Sequence, residues 1–524
     1  THWLGFMFPK DYKERILPDL SRNIVCGNSL VEKDFWGIFD DEKDAPQDRR
    51  KINAMDFETA FHEVLKQGGF DAIVGNPPYV RQETLGDKFK KYAKEKFKTF
   101  AGTADLFVYF IERGISKLKP GGQYGIIVAN KWMRANYGKP LRSWLKNTST
   151  HKLEEVTDFG DLPVFQGATT YPCIIRVSKQ NGRNREFFAA EVKTLDFTDL
   201  SEYVAANRFT MQAADLDDNG WTLVNTKTLN LLQKLRAAGV PLGEYVDGKI
   251  YYGIKTGLNE AFVIDETTKL RLINKDPKSA ELIKPFLAGR DIKRYQEPKS
   301  DKYLISIPNG WTKVKMGPSK QNETTSWKWL KETYPAIAEH LEPFEKAGKK
   351  RWDKGEYWWE LRPCDYYPEF EKPKMMLPDI ATRGNFMRDA DKKFYCVNTA
   401  YMIPIDDLFL LGLLNSRLIT FFYSQLTSTI RGGYLRFIFQ YLEQIPIVKL
   451  DLKKKEEKAL HDKVVGLVEE MLKTKKELSE TMLGYRKTQL ETEIETLDRR
   501  IDALVYELYG LSEEEIALVE GTGD

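Results

Sequence analysis

At 524 residues the chain is too long for one compact core, and two or three domains are expected. It is 42% hydrophobic and 30% charged, with no apolar run approaching ~18 residues and no legible signal peptide. Neither a membrane helix nor secretion is therefore expected, and a cytoplasmic location is. Four scattered cysteines without CxxC spacing and five dispersed histidines argue against a zinc site or a disulfide framework, and a net charge of +3 selects no partner.

The chain opens at Thr1 and runs at once into what reads as the middle of a domain, so a piece of a larger protein is expected. Residues 23–30, NIVCGNSL, read as a short buried strand and a polar turn, and 57–67 as a helix. GFDAIVGNPP reads as a second strand, apolar throughout as a central parallel strand should be. The segment 83–100 is basic enough for a mobile loop or an exposed helix. Its lysines at 88, 90, 91, 94, 96 and 98 suit either a solvated face or a phosphate-contacting loop. TADLFVYFIERGISKL has helical apolar spacing and stops at Lys119-Pro120-Gly121-Gly122; QYGIIVAN follows as a strand. Residues 137–147 read as helix, and KLEEVTDFG and YPCIIRVSK as strands. This alternation predicts an α/β domain over 1–185, with a parallel sheet and one antiparallel strand at its edge.

Residues 186–244 are polar and read as a connection. From 245 to 450 the elements are short, aromatic and punctuated by Pro and Gly, which predicts an α+β domain. Residues 451–524 are charged and helical, and Gly484 marks the break of a helical hairpin. Residues 271–450 hold 30 Lys/Arg against 22 Asp/Glu, whereas 451–524 hold 12 against 19. SWKWL, KKRWDKGEYWWELR and PDIATRGNF mix aromatics with cations. That mixture suits a nucleic-acid surface or, equally, a Trp-rich core with snorkelling lysines.

The most informative stretch is Gly75-Asn76-Pro77-Pro78-Tyr79. Two prolines cannot continue a strand ladder and force Asn76 into an extended conformation, giving a stiff corner. The Asn76 side-chain oxygen and the Pro77 carbonyl can each accept a hydrogen bond from an amino group on a flat ring, and Tyr79 offers a stacking face. Holding both hydrogens of such an amine aims its lone pair at an electrophile. In an open α/β sheet, ligands bind at the strand end where this corner lies.

GNPPY resembles motif IV, the NPPY motif, of the amino-methyltransferases that modify adenine in DNA; the N4-cytosine enzymes more often carry Ser in place of Asn. A C5-cytosine enzyme would need a catalytic Pro-Cys. Only Cys173 and Cys364 follow a proline, one at a buried strand and one far from the motif, and that class is rejected. The motif order resembles the gamma class. CGNSL resembles motif III, which implies Asn28 and Ser29 at the adenine of S-adenosyl-L-methionine. ADLFVYFIERGISKLKPGG resembles motif V, implying Asp105 and Phe107 near the methionine end, and YGIIVANKWM resembles motif VI. DLPVFQGATTYPCII resembles motif VIII, implying that Phe165 packs on a flipped base opposite Tyr79.

Downstream, YYGIKTGLNEAFVID, LIKPFLAGRDIKRY, WELRPCDYYPEFEKPKMMLPDI and TIRGGYLRFIFQYLEQIPI resemble the TaqI-like C-terminal specificity domain of type IIG restriction–modification enzymes. The resemblance implies a partial Rossmann-like methyltransferase domain, a target-recognition domain and base flipping on double-stranded DNA. Lys255, Arg290, Arg383, Arg431, Tyr434 and Arg436 are the DNA-contacting candidates, with Arg431-Gly432-Gly433-Tyr434 foremost because paired glycines admit close backbone approach. Motifs X, I and II find no match and are expected to precede residue 1, and no PD-(D/E)xK nuclease is legible. The expectation is a site-specific DNA adenine-N6 methyltransferase that needs no metal. The alternative is a DNA-specificity fragment that binds DNA but needs the missing N-terminal segment for cofactor.

Overall fold

The computed structural model describes residues 23–38, 50–146, 149–165, 170–180, 186–297, 300–317, 322–391, 393–427, 429–430 and 432–522. The chain divides into two compact units, Thr1–Leu223 and Val224–Asp524.

The first unit is built on six strands: β1 (Phe70–Gly75), β2 (Leu118–Ala129), β3 (Lys152–Asp158), β4 (Pro172–Ser178), β5 (Glu186–Glu191) and β6 (Phe209–Gln212). Their order is β1-β2-β4-β3-β5-β6. β1 runs parallel to β2 and β3 parallel to β5, while β4 is antiparallel to both its neighbours and β6 antiparallel to β5. Of the antiparallel strands, β4 lies inside the sheet and β6 forms its edge. β4 is PCIIRVS, buried along nearly its whole length, and such a strand gains most from a ladder on both sides. Residues 186–212, expected as part of a connection, extend the sheet through β5 and β6, because Phe187, Ala189 and Met211 face the core.

Three helices flank this sheet: α1 (Asp87–Lys96), α2 (Phe107–Ser116) and α3 (Lys139–Lys146). α2 buries Phe107, Val108, Ile111 and Ile115 on one stripe, and each such side chain contributes about 1.5–3 kcal/mol by leaving water. The basic segment is therefore a helix, held through buried Tyr92 and Ala93.

Two expectations fail near the amino end. Residues 23–27 form no strand; Ile24 is exposed, and Asn28 makes a single bridge to Ala54. β1, apolar enough to read as central, pairs only with β2 among the described residues and leaves Val74 86% exposed. Apolar composition reports what a strand can bury and not how many neighbours it has.

The second unit carries short sheets, and the two that follow are antiparallel throughout. One joins Met387–Asp389, Lys374–Pro378, Ala400–Ile403 and Tyr251–Tyr252. Another joins Ile380–Ala381, Tyr434–Arg436 and Thr429–Ile430. The aromatic run at 357–359 proves to be core: Tyr357, Trp358 and Trp359 are buried beneath Trp327, whereas Trp352 is exposed. The helical hairpin is present as α4 (Lys455–Glu480) and α5 (Gly484–Leu508); the break falls at 481–483, and the expected glycine opens the second helix. It belongs to the core of this unit. Val464 and Val468 pack so closely on Gly412 that a Cβ there would need them to shift, and Arg294 binds Asp498 at 2.5 Å.

Candidate functional site

β1 ends at Gly75, and the double proline turns the chain away from the ladder. Pro77 is buried and Tyr79 is 38% exposed. The corner is then pinned to the start of α2: Val80 N–H donates to the Pro78 carbonyl, Leu106 N–H donates to Val80, and Gln82 N–H donates to the Asp105 carboxylate at 3.3 Å. Two acceptors escape this bracing. Among the described residues neither the Asn76 side chain nor the Pro77 carbonyl has a hydrogen-bond partner.

Asn76, Pro77 and Pro78 open onto a cavity of about 630 Å³ that Ser29 also lines. Its walls are apolar, with Met55, Phe57, Phe61 and Phe110 among them. Its cations Arg113 and Lys117 both bind Glu32, at 2.8 and 2.7 Å. Asn28 turns inward to accept the Leu30 N–H. Phe107 is buried in the core, and Phe110, one helical turn on, reaches the cavity instead. The motif located the helix but not its exposed face. Burial raises the Asp105 carboxyl above the usual aspartate value, with the Gln82 N–H acting in the other direction.

Phe165 comes to Tyr79 from 86 positions along the chain. The rings lie edge to face, 6.3 Å between centroids and tilted by 63°. At that tilt they do not clamp a flat base unless one ring turns. A network that the sequence did not reveal sets the loop before Phe165. The buried Asn130 amide donates to Asp158 at 2.8 Å, and the same carboxylate oxygen accepts the Gly160 N–H at 3.0 Å. Only register carries this signal: Asn130 follows β2 and Asp158 closes β3, strands that β4 separates. Cys173 is fully buried in β4 and accepts from the Trp132 indole; burial pushes its thiol far up.

In the second unit, backbone hydrogen bonds join segments remote in sequence into one junction. Asp379 N–H donates to Thr399, Phe437 N–H to Asp379, Gly253 N–H to Ala400 and Asn398 N–H to Ile254, while Gly289 N–H meets the Thr399 hydroxyl. Lys255, Arg290, Tyr434 and Arg436 all adjoin it. Arg290 is 85% exposed, and Lys255 pairs with Asp353 at 2.9 Å. Gly432 and Gly433, at φ +92° and +76°, form the turn before Tyr434. Arg383 lies elsewhere, 3.7 Å from Asp498 on α5, and burial lowers its pKa. Arg431 falls outside the described residues. Among the described residues no group of three or more His, Cys, Asp or Glu could hold a metal, and no helix is long and apolar enough to cross a membrane.

Residues 9–165 match the family model of the Eco57I restriction-modification methylase, and residues 284–447 that of the TaqI-like C-terminal specificity domain. The chain is 25% identical over 480 residues to the Type II methyltransferase M.PaeR7I of Pseudomonas aeruginosa, covering 87% of this chain and 73% of that protein. It is 30% identical over 259 residues to the Type II restriction enzyme and methyltransferase RM.Eco57I of Escherichia coli, covering 48% and 24%. Among solved structures, the Type IIL restriction-modification enzyme MmeI in complex with DNA superposes with a TM-score of 0.56 at 13% identity. That match covers 89% of this chain and 58% of the other, and at such identity it shows a shared fold.

Proposed function

Because this chain joins an Eco57I-type methylase domain to a TaqI-like specificity domain, we propose that it is the modification part of a restriction-modification enzyme, a site-specific DNA adenine-N6 methyltransferase. The observation that carries the reading is the pair of unpartnered acceptors, Asn76 and Pro77, at the end of β1 beside Tyr79. Each accepts one hydrogen of the amino group of an adenine turned out of the duplex, which fixes the nitrogen lone pair in one direction. Tyr79 and Phe165 hold the ring once one of them rotates, and the proton leaves the nitrogen after the methyl arrives. S-adenosylmethionine, when bound, supplies an electrophilic methyl group.

The cavity beside Asn76 fits that cofactor only in part. Its aromatic and thioether walls suit a purine, but its described lining holds no carboxylate for ribose hydroxyls, and both its cations are committed to Glu32. In this reading a further segment of the enzyme supplies what the described lining lacks. That β1 pairs only with β2 among the described residues favours a second reading, a DNA-specificity fragment that binds DNA and methylates only when that segment joins it. Calorimetric titration of S-adenosylmethionine into the chain separates the two: micromolar binding supports a self-sufficient enzyme, and no binding supports the fragment.

The test of the catalytic reading is Asn76→Ala in the complete enzyme. Methylation of adenine-containing duplex should fall by about a thousandfold or more, with duplex affinity nearly unchanged. Methylation at the wild-type rate would overturn the assignment.

A further inference from the structure

We propose that Asp379 and Arg436 together read one C·G base pair in the major groove and so set one position of the recognition sequence. This rests on the reading of the chain as a sequence-specific DNA enzyme.

Asp379 lies in the bend between strands Lys374–Pro378 and Ile380–Ala381. Its backbone is fixed on both sides, the N–H to Thr399 at 3.0 Å and the carbonyl to Phe437 at 2.8 Å. Its carboxyl is half-buried, and among the described residues no other residue donates to it. A half-buried carboxylate with no protein donor keeps acceptor sites open toward solvent or a ligand. Burial raises its pKa, and the nearby Arg436 charge opposes that rise without cancelling it.

Arg436 is exposed and sits directly across the ladder from Ile380. Among the described residues its guanidinium has no ion-pair partner within 4 Å, Asp379 included. The two charges thus feel each other without satisfying each other. Tyr401 lies across the ladder from Leu377, two residues before Asp379, so the strands bring it to the same region as Asp379 and Arg436. Exposed Tyr252, opposite Tyr401, and exposed Ile380 and Tyr434 border it, so base edges would meet apolar surface around a charged centre.

The chemistry matches one partner closely. In the major groove a C·G pair sets the cytosine N4 donor beside the guanine O6 and N7 acceptors. A carboxylate only accepts and a guanidinium only donates, so a rigid acceptor next to an unpaired fork is the complement of that edge. An Arg on phosphate would need no carboxylate beside it; the acid would weaken such a contact.

The experiment is selection of bound duplexes from a randomised pool by the full chain, repeated with Asp379→Asn, Asp379→Ala and Arg436→Gln. The wild type should select a motif with an invariant C·G pair. Asp379→Asn and Arg436→Gln should each relax that position by about tenfold to a hundredfold and leave the others unchanged. Asp379→Asn preserves shape, so a folding defect in Asp379→Ala does not hide the result. An unchanged motif in all variants, a change at an A·T position, or an equal loss at every position would overturn the inference. A wild-type chain that selects no sequence would overturn the parent reading as well. Selection by a chain that does not itself methylate would favour the specificity-fragment reading and leave this inference standing.

Discussion

The corner after β1 and the junction around Asp379 both present polar groups that no neighbour among the described residues satisfies, but they are made in opposite ways. The corner is one contiguous pentapeptide, stiffened by its own prolines and braced by a few bonds to α2. The junction draws on residues 253, 289, 379, 399 and 437, and tertiary hydrogen bonds, to backbone and to the Thr399 hydroxyl, bring them together. A site made by local geometry keeps its shape if remote packing loosens; a site made by assembly does not.

The largest expected effect tests that difference. Arg294 donates to Asp498 on α5 and to the Asn415 carbonyl, and its guanidinium is 12% exposed. Arg294→Ala leaves Asp498 with only the more distant Arg383 and should cost about 3–5 kcal/mol. Peptide-resolved hydrogen exchange should show that loss across residues 224–522 and none across 50–223. An equal loss in both units would end the distinction between a locally made and an assembled site.

The same contrast decides what the sequence disclosed. Alternation of strand and helix, the corner and the hairpin break just before Gly484 are local patterns, and each is present in the structure. The position of β4, the contribution of 186–212 to the sheet and the burial of Trp358 and Trp359 depend on which surfaces meet, which spacing does not encode. Phe107 shows the limit within one helix: the motif pointed to α2, but Phe110 carries the exposed face. Asp379 and the Asn130–Asp158 pair had no legible signal at all, since their partners lie far along the chain.

Acid should separate the units next. In the first, burial pushes the His151 imidazole down to about 4 from 6.5, against the Trp144 ring, tilted by 41° at 4.2 Å between centroids. Between those values the unfolded chain binds a proton that the folded one does not, so stability falls as pH falls from about 6.5 to 4. At ~1.4 kcal/mol per pH unit, that amounts to about 3 kcal/mol. In the second unit burial lowers His340 too, but its Nε2 lies 3.0 Å from the Ala261 carbonyl, which favours the charged ring. Denaturation between pH 4 and 7 should show the first unit weakening more, and His151→Gln should remove most of the difference. A pH-independent first unit would refute the assignment.

Phe165 tests whether the corner is as local as its pentapeptide. It reaches Tyr79 only because Asp158 holds the Gly160 N–H and so sets the loop in between. If it packs on the extruded base, Phe165→Ala removes one stacking face, worth about 1–3 kcal/mol. The turnover rate of the complete enzyme should then fall by about tenfold to a hundredfold, with the first unit's unfolding midpoint unmoved and Phe165→Tyr restoring most of the rate. Asp158→Asn, which keeps the shape but weakens the acceptor, should give a smaller drop of the same kind. A silent Phe165→Ala would mean that Asn76, Pro77 and Tyr79 suffice, so that the corner is made wholly by local geometry.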